Sequence, residues 1–545
     1  LSGADPEPPT NTALGWAKMV NRLRAVSLRN RLGIPIIFGT DAVHGHNNVK
    51  GAVIFPHPVG LGCTRDADLV RRIGRVTAYE VAATSIDWTF APVLAASRDE
   101  RWGRAYEAFG ETPELAATLG KAMIQGLQGE KLGESDSSIL ACAKHFAGDG
   151  GTVSGVDQGD TVLSEEEFRR LHVEQYQAAI DAGVGSIMVS FSSFNGVMMH
   201  CHGRLLNDLL KGQMRFNGFL VSDWEAVEKT PGTYDEQVEN AINAGLDMVM
   251  APRSYRRFLA TLRDLVPERV PMTRIDDAVG RILSVKCELG LLDSSRYRRD
   301  GSGETTIKAE LVARFGSEAH RAVARQAVRQ SLVLLKNDND TLPLSKKLKR
   351  IHLAGKNADN LGHQCGGWTI NWQGGSGPIT RGTTVLQAVR NAVDRATEVT
   401  YSFDGTGATG SAAGIVVIGE KPYTEGAGDR ADLNLDAEDV AAGRAMKAAG
   451  IPLVVILISG RPMILGDTLT DADALIAAWL PGSEGQGIGD VLFGDYAPSG
   501  KLSVSWPRDM KQIPINVGDP EYDPLFPYGY GLTYRKNAPC SFPCR

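Results

Sequence analysis

From residue 34 onward, short apolar runs alternate with stretches of helical period. The runs read IPIIFGTDAVHG (34–45), DWTFAPVLA (87–95), ILACAKHFAGDG (139–150), GVGSIMVSFSS (183–193), GFLVSDWE (218–225) and LDMVMAP (246–252). Each has the length and composition of a buried strand. Between them lie helix-like stretches such as SEEEFRRLHVEQYQAAIDAG (164–183). There Ser164 followed by Glu167 predicts a capping box, and Gly183 a C-terminal stop. Strand–helix alternation predicts a parallel sheet and, at this length, a (β/α)8-like barrel over residues 1–292.

The run 293–308, DSSRYRRDGSGETTIK, is polar, charged and glycine-containing, as a linker is. A second α/β pattern fills 309–545. QSLVLLKN (330–337), RIHLAG (350–355), GIVVIGE (414–420), IPLVVILISG (451–460) and ALIAAWLPG (474–482) read as buried strands separated by amphipathic helices. The expectation is a layered α/β sandwich. Two or three domains are in keeping with 545 residues.

Composition narrows the function without fixing it. The chain is 43% hydrophobic and 22% charged, with a net charge of −6. No basic tract or Arg/Lys stripe points to nucleic acid, and no apolar run approaches the ~20 residues that span a bilayer. The seven cysteines are scattered, without CxxC or zinc spacing. Cys142 reads as a packed thiol, and Cys540 and Cys544 as a small terminal loop. Neither a metal nor a cofactor is expected. The chain begins at Leu1, with no signal-peptide pattern, as a mature form or a fragment would.

The apolar runs of the first half end in reactive polar residues: Asp41 and His44, Lys144 and His145, Asp223. In a parallel barrel those ends meet at one rim, so residues far apart in sequence share a pocket. Lys144 and His145 are adjacent cations, costly there unless anions or hydroxyls face them. Asp223 ends a strand otherwise free of charge; a helix-capping aspartate is the rival reading, and Trp224 beside it, able to stack on a sugar ring, favours a site. Asp41 reads equally as a turn former. RWGRAYEAFGE (101–111) carries Arg104, which reads as a clamp for hydroxyls or a carboxylate, or as half of a surface ion pair.

In the second half, GGWTINWQGG (366–375) sets Trp368 and Trp372 in a glycine-rich loop that lacks the spacing of a core face. GEKPYTEGAGD (419–429) places Glu420 and Glu425 just past a buried strand, where a site is built. PGSEGQGIGD (481–490) has neither the order of a dinucleotide fingerprint nor that of a phosphate loop, and reads as a tight strand–helix turn.

Together these segments resemble glycoside hydrolase family 3, and most closely its exo-acting β-glucan glucohydrolase and β-glucosidase branch. The markers run through the whole chain: IPIIFGTDAVHGHNNVKGAVIFPHPVGLG, RWGRAYEAFGE, KHFAGDGGT, FLVSDW, GGWTINWQG, GEKPYTEGAGDR, AAWLPGSEGQGIGDVLFGD and PYGYGLTY. The resemblance implies a (β/α) barrel followed by an α/β sandwich, with the active site between them. It implies Asp223 as nucleophile and Glu425 as acid/base. Asp41, Arg104, Lys144 and His145 would hold the nonreducing glucosyl unit. Trp224 and Trp372 would flank the next sugar, with Met188 and Gln158 completing the binding set.

Departures from the family pattern also matter. Phe191 stands where a tyrosine often lies close to the nucleophile. Gln158 and Lys229 replace the glutamate and arginine usual in plant members. Members also carry a helix and first barrel strand ahead of the segment matching LSGADPEP; without them the barrel would lack its first strand and expose an edge. The implied activity is retaining hydrolysis of β-linked gluco-oligosaccharides or aryl and alkyl β-glucosides, outside the cytoplasm. The competing readings are a β-xylosidase, a β-N-acetylhexosaminidase and a noncatalytic sugar binder. The hexosaminidases of this superfamily need a histidine in the loop after KHF, and AGDGGTVSGVDQGDT (147–161) has none.

Overall fold

The computed structural model describes residues 8–293 and 308–534. All but the ends of the expected linker, together with Cys540 and Cys544, lie outside the described residues. Two compact units are present. The first comprises residues up to Val49, Val70–Ala96 and Ala116–Phe315. The second takes Gly316 onward together with Lys50–Leu69 and Ser97–Leu115. Those two inserts, which the sequence pattern attributes to the first domain, pack with the second.

Beside a small separate sheet of Asp160–Thr161, Ser193–Phe194 and Val197–Met198, the first unit has five short wall strands: β1 (Gly39–Thr40), β2 (Trp88–Thr89), β3 (Cys142–Phe146), β4 (Ser186–Val189) and β5 (Phe219–Val221). All pair in parallel and in chain order. β1 lies on β2, β2 meets β3 through Trp88–Leu140 and Val93–Lys144 bridges, and β3 pairs with β4 and β4 with β5. The expected sixth run, LDMVMAP, contributes one parallel bridge, Val221–Met248, in place of a strand. Its Asp247 side chain adds to the pairing: the carboxylate accepts the Leu220 N–H at 2.8 Å and the Lys211 ammonium at 2.8 Å.

This wall curls into a (β/α) barrel. The Trp88 indole on β2 reaches Ser186 Oγ on β4 (2.9 Å) and stands edge-on to Phe219 on β5, with ring centroids 5.4 Å apart. These rings pack with Ile37, Cys142, Val221, Val285 and Leu289 in one buried cluster. Burying side chains of this size is worth about 1.5–3 kcal/mol each. The helix Met272–Glu288 closes back on the start of the wall, where Lys286 Nζ donates to the Pro35 carbonyl at 2.8 Å.

The helix expected over 164–183 begins with the capping box of Ser164 and Glu167. It runs as Glu165–Phe168 and Gln175–Asp181, joined by a π turn at Arg169–Val173.

The second unit is built on a six-stranded sheet. Its strands are β6 (Val333–Asn337), β7 (Arg350–Ala354), β8 (Glu398–Ser402), β9 (Ala413–Gly419), β10 (Leu453–Ile458) and β11 (Ala474–Trp479). The order is β8-β7-β9-β10-β11-β6, parallel throughout except for β6, which runs antiparallel on β11. β9 and β10 are buried along their whole length, as their unbroken apolar runs require. β8, EVTYS, is a polar edge strand that an apolar-run criterion passes over. The chain leaves β7 to one side and returns on the other, so the sheet has a switch point between β7 and β9. Loops at the C-terminal ends of such strands are where α/β sheets build sites.

Candidate active site

In the first unit, the ends of β1, β3 and β5 bring Asp41, Lys144, His145 and Asp223 into one polar network. Lys144, 2% exposed, has its ammonium 3.0 Å from Asp41 Oδ1. A buried ammonium needs such a partner, because desolvation otherwise expels its charge. Asp41 is therefore an ion-pair partner as well as a turn residue.

Two neighbouring residues of a strand normally face opposite ways. The β3–β4 register shifts between Ala143 and Phe146, and a bulge of this sort re-aims side chains. His145 Nδ1 lies 2.8 Å from Asp149 Oδ2, and its Nε2 lies 3.8 Å from Asp223 Oδ2.

Asp223 is fixed from the other side. Its N–H donates to His200 Nε2 (3.1 Å), and its Oδ1 accepts the Trp224 N–H (2.7 Å). Burial drives the His200 pKa down to about 3, so its ring stays neutral and can accept. As in the capping alternative, Oδ1 accepts the N–H of the next residue, while Oδ2 faces the imidazole. Asp149 and His200 are absent from the sequence-derived set; the four-residue spacing of His145 and Asp149 is the one signal that marks the former.

Trp224 is half-buried beside Asp223. Gln158 and Lys229, the two departures singled out above, are partners: Lys229 Nζ donates to Gln158 Oε1 at 3.2 Å and sits 4.4 Å from the centroid of the Phe191 ring. Met188 lies on β4. It is 3% exposed, within the apolar cluster of the barrel. It shares a strand face with Ser186, whose hydroxyl receives the Trp88 indole.

In the second unit, the loops after β7 and β9 carry the tryptophans and the glutamates. They are tied together by Gln373, whose Oε1 accepts the Thr424 N–H at 3.0 Å. Trp368 is 6% exposed and Trp372 is 52% exposed, so the two divide into a packed ring and a presented one. The Trp368 N–H donates to the Trp372 carbonyl (2.9 Å).

The two glutamates differ as sharply. Glu420 is buried; its Oε2 accepts from the Tyr423 hydroxyl (2.8 Å) and the Gly460 N–H (2.9 Å), and its Oε1 is 3.2 Å from Arg461 Nε. Glu425, with a side chain 27% exposed, has Oε1 3.9 Å from Arg104 Nη1.

Arg104 is held by a fork onto Glu107, Nε to Oε1 and Nη2 to Oε2 at 2.9 Å each. The ion pair expected as its alternative role exists, but it is buried and leaves Nη1 turned to Glu425. Gly103 allows this approach: a Cβ there would lie 2.2 Å from the Glu425 carbonyl oxygen.

Residues 9–285 match the family model described as Glycosyl hydrolase family 3 N terminal domain, and residues 332–534 that of the Glycosyl hydrolase family 3 C-terminal domain. The chain is 32% identical to the lysosomal beta glucosidase of Dictyostelium discoideum over 95% of its length and 67% of that protein. It is 33% identical to the periplasmic beta-glucosidase of Salmonella typhimurium over 95% of its length and 73% of that protein. Among solved structures it resembles the exo-1,3/1,4-beta-glucanase of a Pseudoalteromonas species, with a TM-score of 0.91, 41% identity, and coverage of 97% of this chain and 68% of that one.

Proposed function

The chain belongs to glycosyl hydrolase family 3 and is a glycoside hydrolase, and from that premise we propose that it is a retaining, exo-acting β-glucosidase. It releases glucose from the nonreducing ends of β-linked gluco-oligosaccharides. The observation that carries the reading is the setting of Asp223: a carboxylate at a strand end, one oxygen fixed by backbone and the other facing the His145 ring.

Asp223 attacks the anomeric carbon and forms a glucosyl ester, which water then hydrolyses. Glu425 supplies the proton to the departing oxygen and takes one from the incoming water. Its exposure and its charged neighbour Arg104 support that assignment. Asp41 accepts hydrogen bonds from sugar hydroxyls, while Lys144, His145 and Arg104 donate. Trp224 and Trp372 offer faces to the next sugar, and Gln158 with Lys229 sets the polar edge beyond it. Aryl and alkyl β-glucosides are the small substrates. Action on β-linked gluco-oligosaccharides fits a site of work outside the cytoplasm, and the name of the Salmonella relative says periplasmic of that protein. Among the described residues no helix is long and apolar enough to cross a membrane.

Product analysis on laminari- and cello-oligosaccharides tests the reading. NMR of the first-formed sugar should show β-glucose released one unit at a time. Initial α-glucose refutes the double displacement, and larger products refute the exo action.

A further inference from the structure

We infer that Arg461 is the positioning residue for Glu425, acting from behind its loop; the inference rests on the reading of Glu425 as the acid/base. Arg461 follows β10, and its side chain is 1% exposed. Burying a guanidinium is costly unless its donors are met.

Here each arm goes to a different piece of backbone or loop. Nε donates to the Tyr423 hydroxyl at 2.9 Å, Nη2 to the Gly428 carbonyl at 2.6 Å, and Nη1 to the carbonyls of Arg101 at 2.9 Å and Glu100 at 3.3 Å. The guanidinium carbon also lies 4.7 Å from the centroid of the Tyr423 ring.

Tyr423 and Gly428 bracket Glu425. Glu100 and Arg101 open the segment that carries Arg104, the charged neighbour of Glu425. One buried side chain thus joins the loop of the acid/base to the segment of its cationic partner.

Other contacts lock the same seam. The Gly103 N–H donates to Asp429 Oδ1 (2.8 Å), the Arg430 N–H to the Arg101 carbonyl (3.0 Å), and the Tyr106 hydroxyl to the Tyr423 carbonyl (2.7 Å). Glu420 completes the anchor, since its Oε2 accepts the Tyr423 hydroxyl that Arg461 donates to. The Nε edge faces the Glu420 carboxylate at 3.2 Å, and both Nη groups donate to carbonyls on the two loops. A lysine ammonium has no planar fork with which to span them.

The test compares Arg461→Lys and Tyr423→Phe with the wild type and Glu425→Ala, on cellobiose and on dinitrophenyl β-glucoside. The natural leaving group needs a proton; dinitrophenolate does not. Misplacement of a reacting group by about 1 Å costs about a hundredfold.

Cellobiose kcat/KM should therefore fall about a hundredfold in Arg461→Lys and about tenfold in Tyr423→Phe. The dinitrophenol burst should stay within about twofold of wild type, and azide should restore steady turnover. Either change should add no further loss in the Glu425→Ala background, because it acts through that residue.

Equal losses on both substrates overturn the inference. Wild-type rates in Tyr423→Phe also overturn it, whether or not Arg461→Lys folds. If Glu425→Ala itself shows no azide rescue, the acid/base assignment has failed. If Glu425→Ala is rescued and the other two are not, only the role of Arg461 falls.

Discussion

The Glu425 carboxylate faces Arg104 across 3.9 Å, whereas Glu420, five residues earlier, is spent on Tyr423, Gly460 and Arg461. Both glutamates sit past the same buried strand, in different settings. Glu420→Gln should lower the melting temperature by several degrees, since it leaves a buried guanidinium short of its counter-charge. Its slowed turnover should not respond to azide. Glu425→Ala should melt like the wild type, lose oligosaccharide cleavage and regain turnover with azide as β-glucosyl azide. Thermal melts together with product NMR on both variants check this; azide rescue of the Glu420 variant alone would exchange the two assignments.

Asp223 predicts a covalent adduct. A 2-deoxy-2-fluoro β-glucoside slows both displacement steps but the second more, so the ester accumulates. Peptide mapping should find the label on Asp223 alone. Asp223→Ala should lose several orders of magnitude in kcat, with its melt little changed, because the residue's backbone bond to His200 survives. A label elsewhere removes Asp223 from the mechanism.

The rim of the first unit was legible because parallel strands deliver their C-terminal ends to one place. Asp41, Lys144, His145 and Asp223 could be picked out from where apolar runs stop. Their supports were not. Asp149 and His200 lie in loop and turn segments whose meeting with strand ends depends on tertiary closure. The grouping of Lys50–Leu69 and Ser97–Leu115 with the second unit was hidden for the same reason. Composition there is ordinary, and only contacts hundreds of residues away, such as Ser505 Oγ on Glu111 at 2.9 Å, reveal it. The edge strand Glu398–Ser402 was missed because it is not apolar.

Glu100 predicts a pH dependence of stability. It is buried with Oε1 accepting the Ile515 N–H at 3.2 Å, and burial, with Asp99 and Glu111 near, pushes its pKa up to about 8. A carboxyl whose folded pKa is raised holds its proton more tightly in the fold than in the unfolded chain. Its contribution is fully present below the ordinary carboxylate value, shrinks as pH rises above it, and is lost once pH passes about 8. Glu100→Gln keeps the acceptor and removes the titration. It should therefore melt like the wild type near pH 4 to 5 and above it near pH 9, by an amount on the order of a few kcal/mol. Parallel melting curves across that range would show that Glu100 does not titrate with folding.

The tryptophan loop yields a test that separates binding from scaffold. Trp368 and Trp372 are four residues apart and joined by a backbone hydrogen bond, yet one is 6% exposed and the other 52%. A sugar ring stacks its C–H face on an indole only where the indole is open, and of these two rings Trp372 is the open one. Trp372→Ala should raise KM for cello- and laminari-oligosaccharides about tenfold or more, in line with the 1–3 kcal/mol of a buried aromatic face. It should change KM for a small aryl glucoside far less, and the melt not at all. Trp368→Ala should do the reverse. Removing a packed ring costs about 3–5 kcal/mol, and its loss would also loosen Arg104, whose guanidinium carbon lies 6.0 Å from that ring's centroid. Both substrates should then suffer together, along with the melting temperature. If Trp372→Ala weakens both substrates alike, the exposed ring is not an acceptor platform and the outer binding position must be sought around Gln158 and Lys229 instead.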